Sequence, residues 1–283
     1  MKKELFIRRN SLENRINSSE RPSENSFSIK NIHIHIPYKY LSAYLPLILE
    51  NDCNIELFVP ASDMDNTPLR ELELVKKALN NGTLLTWHAP FMDLSPGAVD
   101  EKIRQVTSER IKQAARESLP FNPRLIIVHP GYDDYRFNEQ EDKWLKNSLK
   151  TWRDILNEYP DTNFAVENVF ENKPDTLERL IKEMDSRRFG YCFDAGHFNV
   201  FSKIPLKEWL ARLGSYIAEV HLHDNDGKWD DHFGLGEGNF DFDTLFNFLE
   251  GINKQPIFTL EAHTKEGVLK SIEYLEKRIK NEE

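Results

Sequence analysis

Hydrophobic and polar positions along the chain fall into two alternating regimes. Short runs rich in β-branched and aromatic residues lie at 31–36, 54–59, 84–88, 125–129, 163–167, 190–194, 217–222 and 257–261. Longer stretches with apolar residues at helical spacing lie at 41–50, 69–80, 99–118, 139–159, 176–184, 206–213, 242–251 and 266–280. The first set predicts strands and the second amphipathic helices. Turn and capping chemistry marks helix starts, as at Asn66, Thr67 and Pro68 and at Pro174, Asp175 and Thr176. Eight strand–helix pairs in one domain predict an α/β chain folded as a (β/α)8 TIM barrel. A doubly wound open sheet uses the same alternation but does not account for where the polar residues fall.

In such a barrel the site gathers at the C-terminal ends of the strands. The third run ends at His88, with Phe91 three residues on, and the fourth at His129. The fifth ends at Glu167 and the sixth at Asp194, with His197 shortly after. The seventh ends near His221, His223 and Asp224, and the eighth at Glu261, with His263 two residues on. Six consecutive strands thus end in a residue type that ligates metals. A charge placed straight after an apolar run costs several kcal/mol if buried unpaired. Six at the same end predict one shared polyvalent site rather than six separately satisfied core residues.

The densest stretch is 219–242, which adds Asp226, Asp230, Asp231 and His232 and then a GLGEG turn at 234–238. Imidazoles and carboxylates together suit divalent cations. His221 and His223 share a face by strand alternation. Gly196 is expected to let the backbone fold His197 back toward Asp194, and Asp230 and His232 lie on a loop able to cover the mouth. Trp87 and Phe91 flank His88 and are candidates to wall a substrate pocket. His33, His35, Glu56 and His263 read as core or supporting residues. The GLGEG turn could offer N–H groups to a phosphate, although a plain connector explains it as well.

Composition narrows the setting. With 283 residues, 39% of them hydrophobic, the chain can bury one large core. The barrel is assigned to 29–283, and the polar segment 1–28 reads as a loose N-terminal extension. No apolar run approaches the ~18 residues of a membrane span, and no apolar segment of a signal peptide follows the basic N-terminus. Two cysteines make no disulfide framework, so a cytoplasmic location is expected. A net charge of -10 disfavours broad nucleic-acid affinity, although bound cations would reverse the sign locally.

On these motifs the chain resembles the xylose isomerase-like TIM-barrel superfamily, over roughly residues 30–275. That superfamily contains sugar isomerases and epimerases and the endonuclease IV type of AP endonuclease. The resemblance to the isomerase branch implies that Glu167, Asp194, His221 and Glu261 hold one divalent ion, commonly Mn2+. It also implies that Glu167 and Glu261 move the proton, one as base and one as acid, and that His197 meets the substrate. The resemblance to the endonuclease branch implies up to three Zn2+. His88, His129 and Glu167 would hold one, Glu167 would bridge to a second on Asp194, His221 and Glu261, and His197, Asp230 and His232 would hold a third.

All nine of these positions carry the expected residue type. Two substrate-facing features depart from the endonuclease pattern. Phe91 stands where that branch places a Tyr, and the segment from Phe170 to Pro174 replaces its Gly-rich loop. The segment 88–100 looks more like proteins labelled sugar phosphate isomerase/epimerase. The expected function is therefore a divalent-metal-dependent isomerase or epimerase, with a sugar or sugar phosphate as partner ahead of nucleic acid. Its site residues would be the nine ligand candidates together with Trp87 and Phe91. A multinuclear zinc phosphoesterase and a barrel that binds without turnover are the alternatives.

Overall fold

Eight parallel strands close into a barrel in chain order, with the last returning to the first. The computed structural model describes residues 32–66 and 82–282, so the expected extension at 1–28 and helix at 69–80 lie outside the described residues. The strands are β1 (Ile32–Pro37), β2 (Asn54–Phe58), β3 (Leu85–His88), β4 (Ile126–Val128), β5 (Phe164–Glu167), β6 (Phe189–Asp194), β7 (Ile217–Leu222) and β8 (Ile257–Leu260). Each falls within two residues of its expected run.

Ten helices flank them among the described residues. They are α1 (Leu41–Glu50), α2 (Ala61–Asn66), α3 (Glu101–Ser118), α4 (Asp134–Phe137), α5 (Glu141–Glu158), α6 (Asp175–Met184), α7 (Ala195–Phe201), α8 (Leu206–Leu213), α9 (Phe242–Gly251) and α10 (Lys265–Glu282). α3 starts later than the apolar period suggests because Asp100 caps it, accepting from Lys102 N–H. The expected helix at 139–159 begins at Glu141, preceded by the separate short α4, which Asp133 caps. α2, α4 and α7 are too short for helical periodicity to reveal.

Strand alternation sorts the side chains. Ile34, Leu57, Val166, Phe193, Val220 and Leu260 face outward and are buried under the helices. From α5, Trp144 and Trp152 pack fully buried into that layer; losing such a side chain costs about 3–5 kcal/mol. Inside the barrel, the β4–β6 side is apolar, built on Ile127, Ala165 and Cys192. The opposite side is polar. There the Thr86 hydroxyl donates to Glu56 Oε2 at 3.4 Å, and that of Thr259 donates to Glu219. Burial, reinforced by the Glu56 charge, pushes the Glu219 carboxyl well above its usual range. No helix among the described residues is long and apolar enough to cross a membrane.

Candidate metal centre

The C-terminal strand ends meet around Glu167. Its Oε2 lies 3.3 Å from His88 Nε2, 3.4 Å from His129 Nε2 and 3.6 Å from His221 Nδ1. Its Oε1 lies 3.0 Å from His197 Nδ1. His221 Nδ1 also faces Glu261 Oε2 at 3.0 Å and Asp194 Oδ2 at 3.6 Å. An outer group sits above. Asp230 Oδ2 lies 3.2 Å from His197 Nε2 and 3.1 Å from His232 Nε2. The strand-end members of this set come from β3 to β8, so the barrel closure itself brings them together.

The imidazoles are oriented through their far nitrogens. His88 Nδ1–H donates to Ala89 O at 2.9 Å, and His232 Nδ1–H to Glu261 O at 2.9 Å. His197 Nδ1 is 3.1 Å from Asn168 O. The remaining nitrogen of each ring faces the carboxylates and, once it has lost its proton, offers a lone pair to a cation. His221 Nδ1, His223 Nδ1 and Glu261 Oε2 are buried without a hydrogen-bond partner. Lone pairs facing carboxylates in a buried space are the donor set of a cation site. Candidate groupings of three or four ligands include His88–His129–Glu167 and His197–His223–Asp230–His232.

Burial alone would push these carboxyls up. The surrounding imidazoles outweigh it and hold Glu167 and Asp194 well below the carboxylate range and Glu261 at about 2. Conversely, burial lowers His232 less than Asp230 and Glu261 raise it, to about 9. Protons therefore occupy imidazoles of the metal-free protein such as His232, and a cation would displace them.

The loop after β7 is shaped by Asp224, a residue with no place at the mouth. Its carboxylate accepts from the backbone N–H of Gly236, Gly238 and Phe240 at 2.9–3.1 Å. The GLGEG turn thus cradles the chain's own carboxylate rather than a phosphate. A Cβ on Gly238 would stand 2.1 Å from Asn225 O, so glycine is required for the close approach. This loop carries Asp230 and His232 over the mouth, with His232 held at φ +52°, a left-handed conformation that costs energy and clusters at functional sites. Gly196 has a different purpose from the expected one. It lies inside α7, and a Cβ there would stand 2.0 Å from His223 Cε1.

The model of the family described as "Xylose isomerase-like TIM barrel" matches residues 54–278. The chain belongs to that family. The uncharacterized protein MJ1311 of Methanocaldococcus jannaschii is 31% identical to this xylose isomerase-like barrel over 197 residues, covering 66% of this chain and 67% of that protein. A solved D-tagatose 3-epimerase-like protein superposes with a TM-score of 0.77 at 24% identity, over 88% of this chain and 97% of the other. The TTHB071 protein of Thermus thermophilus, soaked with ZnCl2, gives 0.71 at 21%, over 89% and 99%. D-Psicose 3-epimerase of Clostridium cellulolyticum with D-tagatose gives 0.67 at 15%, over 87% and 97%. At these identities the structural likeness is one of fold.

Within the xylose isomerase-like barrel, the nine ligand candidates converge, and Phe91 joins them. Its ring stacks on His129 at 4.3 Å and on Phe58 at 5.4 Å. Trp87 does not join them. The alternation that turns His88 inward turns Trp87 outward, where it is 1% exposed and stacks on Phe121; it is a core residue and not a pocket wall. Two further site neighbours lie outside the nine. His223 donates from Nε2 to Asp194 at 3.0 Å and stacks on His232 at 3.8 Å. His35 Nδ1 lies 2.8 Å from Glu56 Oε1 and 3.6 Å from Glu261 Oε1. Alternation placed both inward, but their partners lie too far away in sequence to be read from it.

Glu171, four residues past Glu167, is also buried. Its Oε2 accepts from Val169 N–H at 2.7 Å, and its Oε1 has no partner. Burial pushes this carboxyl from an ordinary 4.5 up to about 8. The folded value lies above the unfolded one, so the contribution to stability is full below about 4.5 and is lost as pH rises through about 8. The uncharged Glu171→Gln should match wild type in thermal unfolding at pH 5. At pH 9 it should unfold later, by about 5–10 °C for a gain of a few kcal/mol. Identical differences at both pH values would refute an ionisable, buried Glu171.

Proposed function

We propose that this barrel is a divalent-metal-dependent isomerase or epimerase of a small sugar or sugar phosphate, working by proton transfer. One observation carries the proposal: three carboxylates, Glu167, Asp194 and Glu261, face the partnerless buried Nδ1 of His221. These four residues would hold the cation. When bound, a divalent ion supplies polarisation of the sugar's carbonyl and hydroxyl oxygens, with Mn2+ as the candidate. Glu167 and Glu261, from separate strand ends, would take the proton from one carbon and return it. His197, fixed by Glu167 and Asp230, would hold a substrate hydroxyl. Phe91 would shield one side of the mouth from water. The epimerase names of the superposing barrels support the same substrate class. The two buried thiols, Cys53 and Cys192, support a cytoplasmic setting.

A second reading is a multinuclear zinc phosphoesterase. It is favoured by His88 and His129 both facing Glu167 Oε2, and by the His197–Asp230–His232 group. Elemental analysis of purified protein, combined with turnover of keto- and aldo-sugars and their phosphates, separates the two. The isomerase reading expects one ion per chain and interconversion of sugars. Three zinc ions per chain with phosphodiester hydrolysis would overturn it. Under the isomerase reading His88→Ala should weaken turnover about tenfold, far less than Glu167→Ala. Equal losses would favour the phosphoesterase.

A further inference from the structure

The rings that face the candidate metal centre differ in what fixes them. His88 and His232 turn their far nitrogens to the backbone carbonyls of Ala89 and Glu261, and His197 Nδ1 lies between Asn168 O and Glu167 Oε1. His223 turns its own to Asp194, a member of the ligand set. A backbone carbonyl is available whatever the side chain, and Asp194 is already accounted for. His221 is different. Its Nε2 lies 3.3 Å from both oxygens of Glu56, a fully buried side chain on β2.

Glu56 lies a layer below the mouth. It pairs in register with His35 on one side and Thr86 on the other, whereas His88 pairs with Phe58 two positions further along β2. Both of its oxygens are engaged. Oε1 accepts from His35 Nδ1–H at 2.8 Å, and Oε2 accepts from Thr86 at 3.4 Å. A carboxylate buried at that depth is costly unless its partners are well placed. Core packing alone would have selected an apolar side chain.

We propose that Glu56 is the positioning residue of the metal centre. By accepting from His221 Nε2–H it holds the tautomer whose Nδ1 lone pair faces Glu167, Asp194 and Glu261, and it makes that nitrogen a stronger donor to a cation. Through His35 the same carboxylate anchors the β1 side of the mouth beside Glu261. This inference rests on the reading of His221 as a metal ligand. It does not depend on which sugar is turned over.

The test is calorimetric titration of metal-stripped full-length protein with Mn2+, comparing wild type, Glu56→Gln and Glu56→Leu. The amide can still accept from His221 but carries no charge, whereas leucine cannot accept. Affinity should fall about 10-fold for Glu56→Gln and about 100-fold for Glu56→Leu. In zinc-loaded wild type, NMR should show a slowly exchanging His221 Nε2–H resonance that Glu56→Leu lacks. A purely structural Glu56 would lower the unfolding temperature without moving either readout. Unchanged Mn2+ affinity in folded Glu56→Gln overturns the proposal, even if Glu56→Leu fails to fold. Wild type that binds no divalent ion overturns both this proposal and the metal site. Wild type that binds Mn2+ yet turns over no sugar overturns the isomerase reading alone.

Discussion

Glu261→Gln is expected to lower sugar turnover about 10²–10⁴-fold, the contribution of a positioned acid or base, while leaving the barrel folded. Glu261 follows β8 directly, and its backbone N–H donates to Leu222 O. Its backbone carbonyl accepts from His232 Nδ1–H. Neither bond involves the carboxylate, so the isosteric amide keeps the strand end and the loop in place. What it removes is the charge that faces His221 Nδ1 at 3.0 Å and the base that would take the proton. Circular dichroism should be unchanged. Metal content measured on the same sample separates loss of the ion from loss of the base. Turnover within a few-fold of wild type would exclude Glu261 from proton transfer. If wild type itself turns over none of the sugars or phosphodiesters offered, the barrel that binds without turnover becomes the better reading.

The second large effect is at Asp194, where three functions meet on one side chain. Its Oδ1 caps α7 by accepting from His197 N–H at 2.6 Å. Both oxygens accept from His223 Nε2, at 3.0 and 3.1 Å. Its Oδ2 faces His221 Nδ1. Asparagine is as good a helix cap as aspartate but carries no charge. Asp194→Asn should therefore keep the α7 cap, losing only the stability that the imidazoles give the charge, while losing more metal affinity than the ~100-fold upper range for a mere supporting residue. Asp194→Ala should lose the metal equally and also about 2–4 kcal/mol, from the missing cap and from the buried His223 donor left unpaired. Thermal unfolding in chelator and calorimetric metal titration check the two effects separately. Equal stability of the two variants would show that the cap and the His223 bond carry little.

The two substitutions bear on different links of the same chain of causes. Glu261 tests the chemistry that the mouth performs. Asp194 tests how a strand end becomes a helix start and a ligand at once, so that β6, α7 and the His223 ring are locked by a single carboxylate. Gly196 completes that lock, because the His223 ring occupies the space where a Cβ would project.

The alternation of apolar runs and amphipathic stretches was sufficient to determine eight strands, their order and the end at which the site lies. Its reason is local: β-branched runs of period two and helices of period 3.6 are written residue by residue, and a parallel barrel brings every strand's C-terminal end to one face. Six ligand-type residues at those ends were legible for that reason. The same rule, applied strictly, would also have removed Trp87, since neighbours on a strand face opposite ways. Tertiary structure alone decided the pairings. Glu56 and His221 are separated by 165 positions, and only barrel closure brings them within 3.3 Å. The Asp224 carboxylate and the glycine turn that wraps it, the stacking of His223 on His232, and the close approach behind Gly196 are likewise matters of distance in space. Residue type and period carry no information about such contacts. They depend on how the loops after β6 and β7 pack against each other once the barrel has closed.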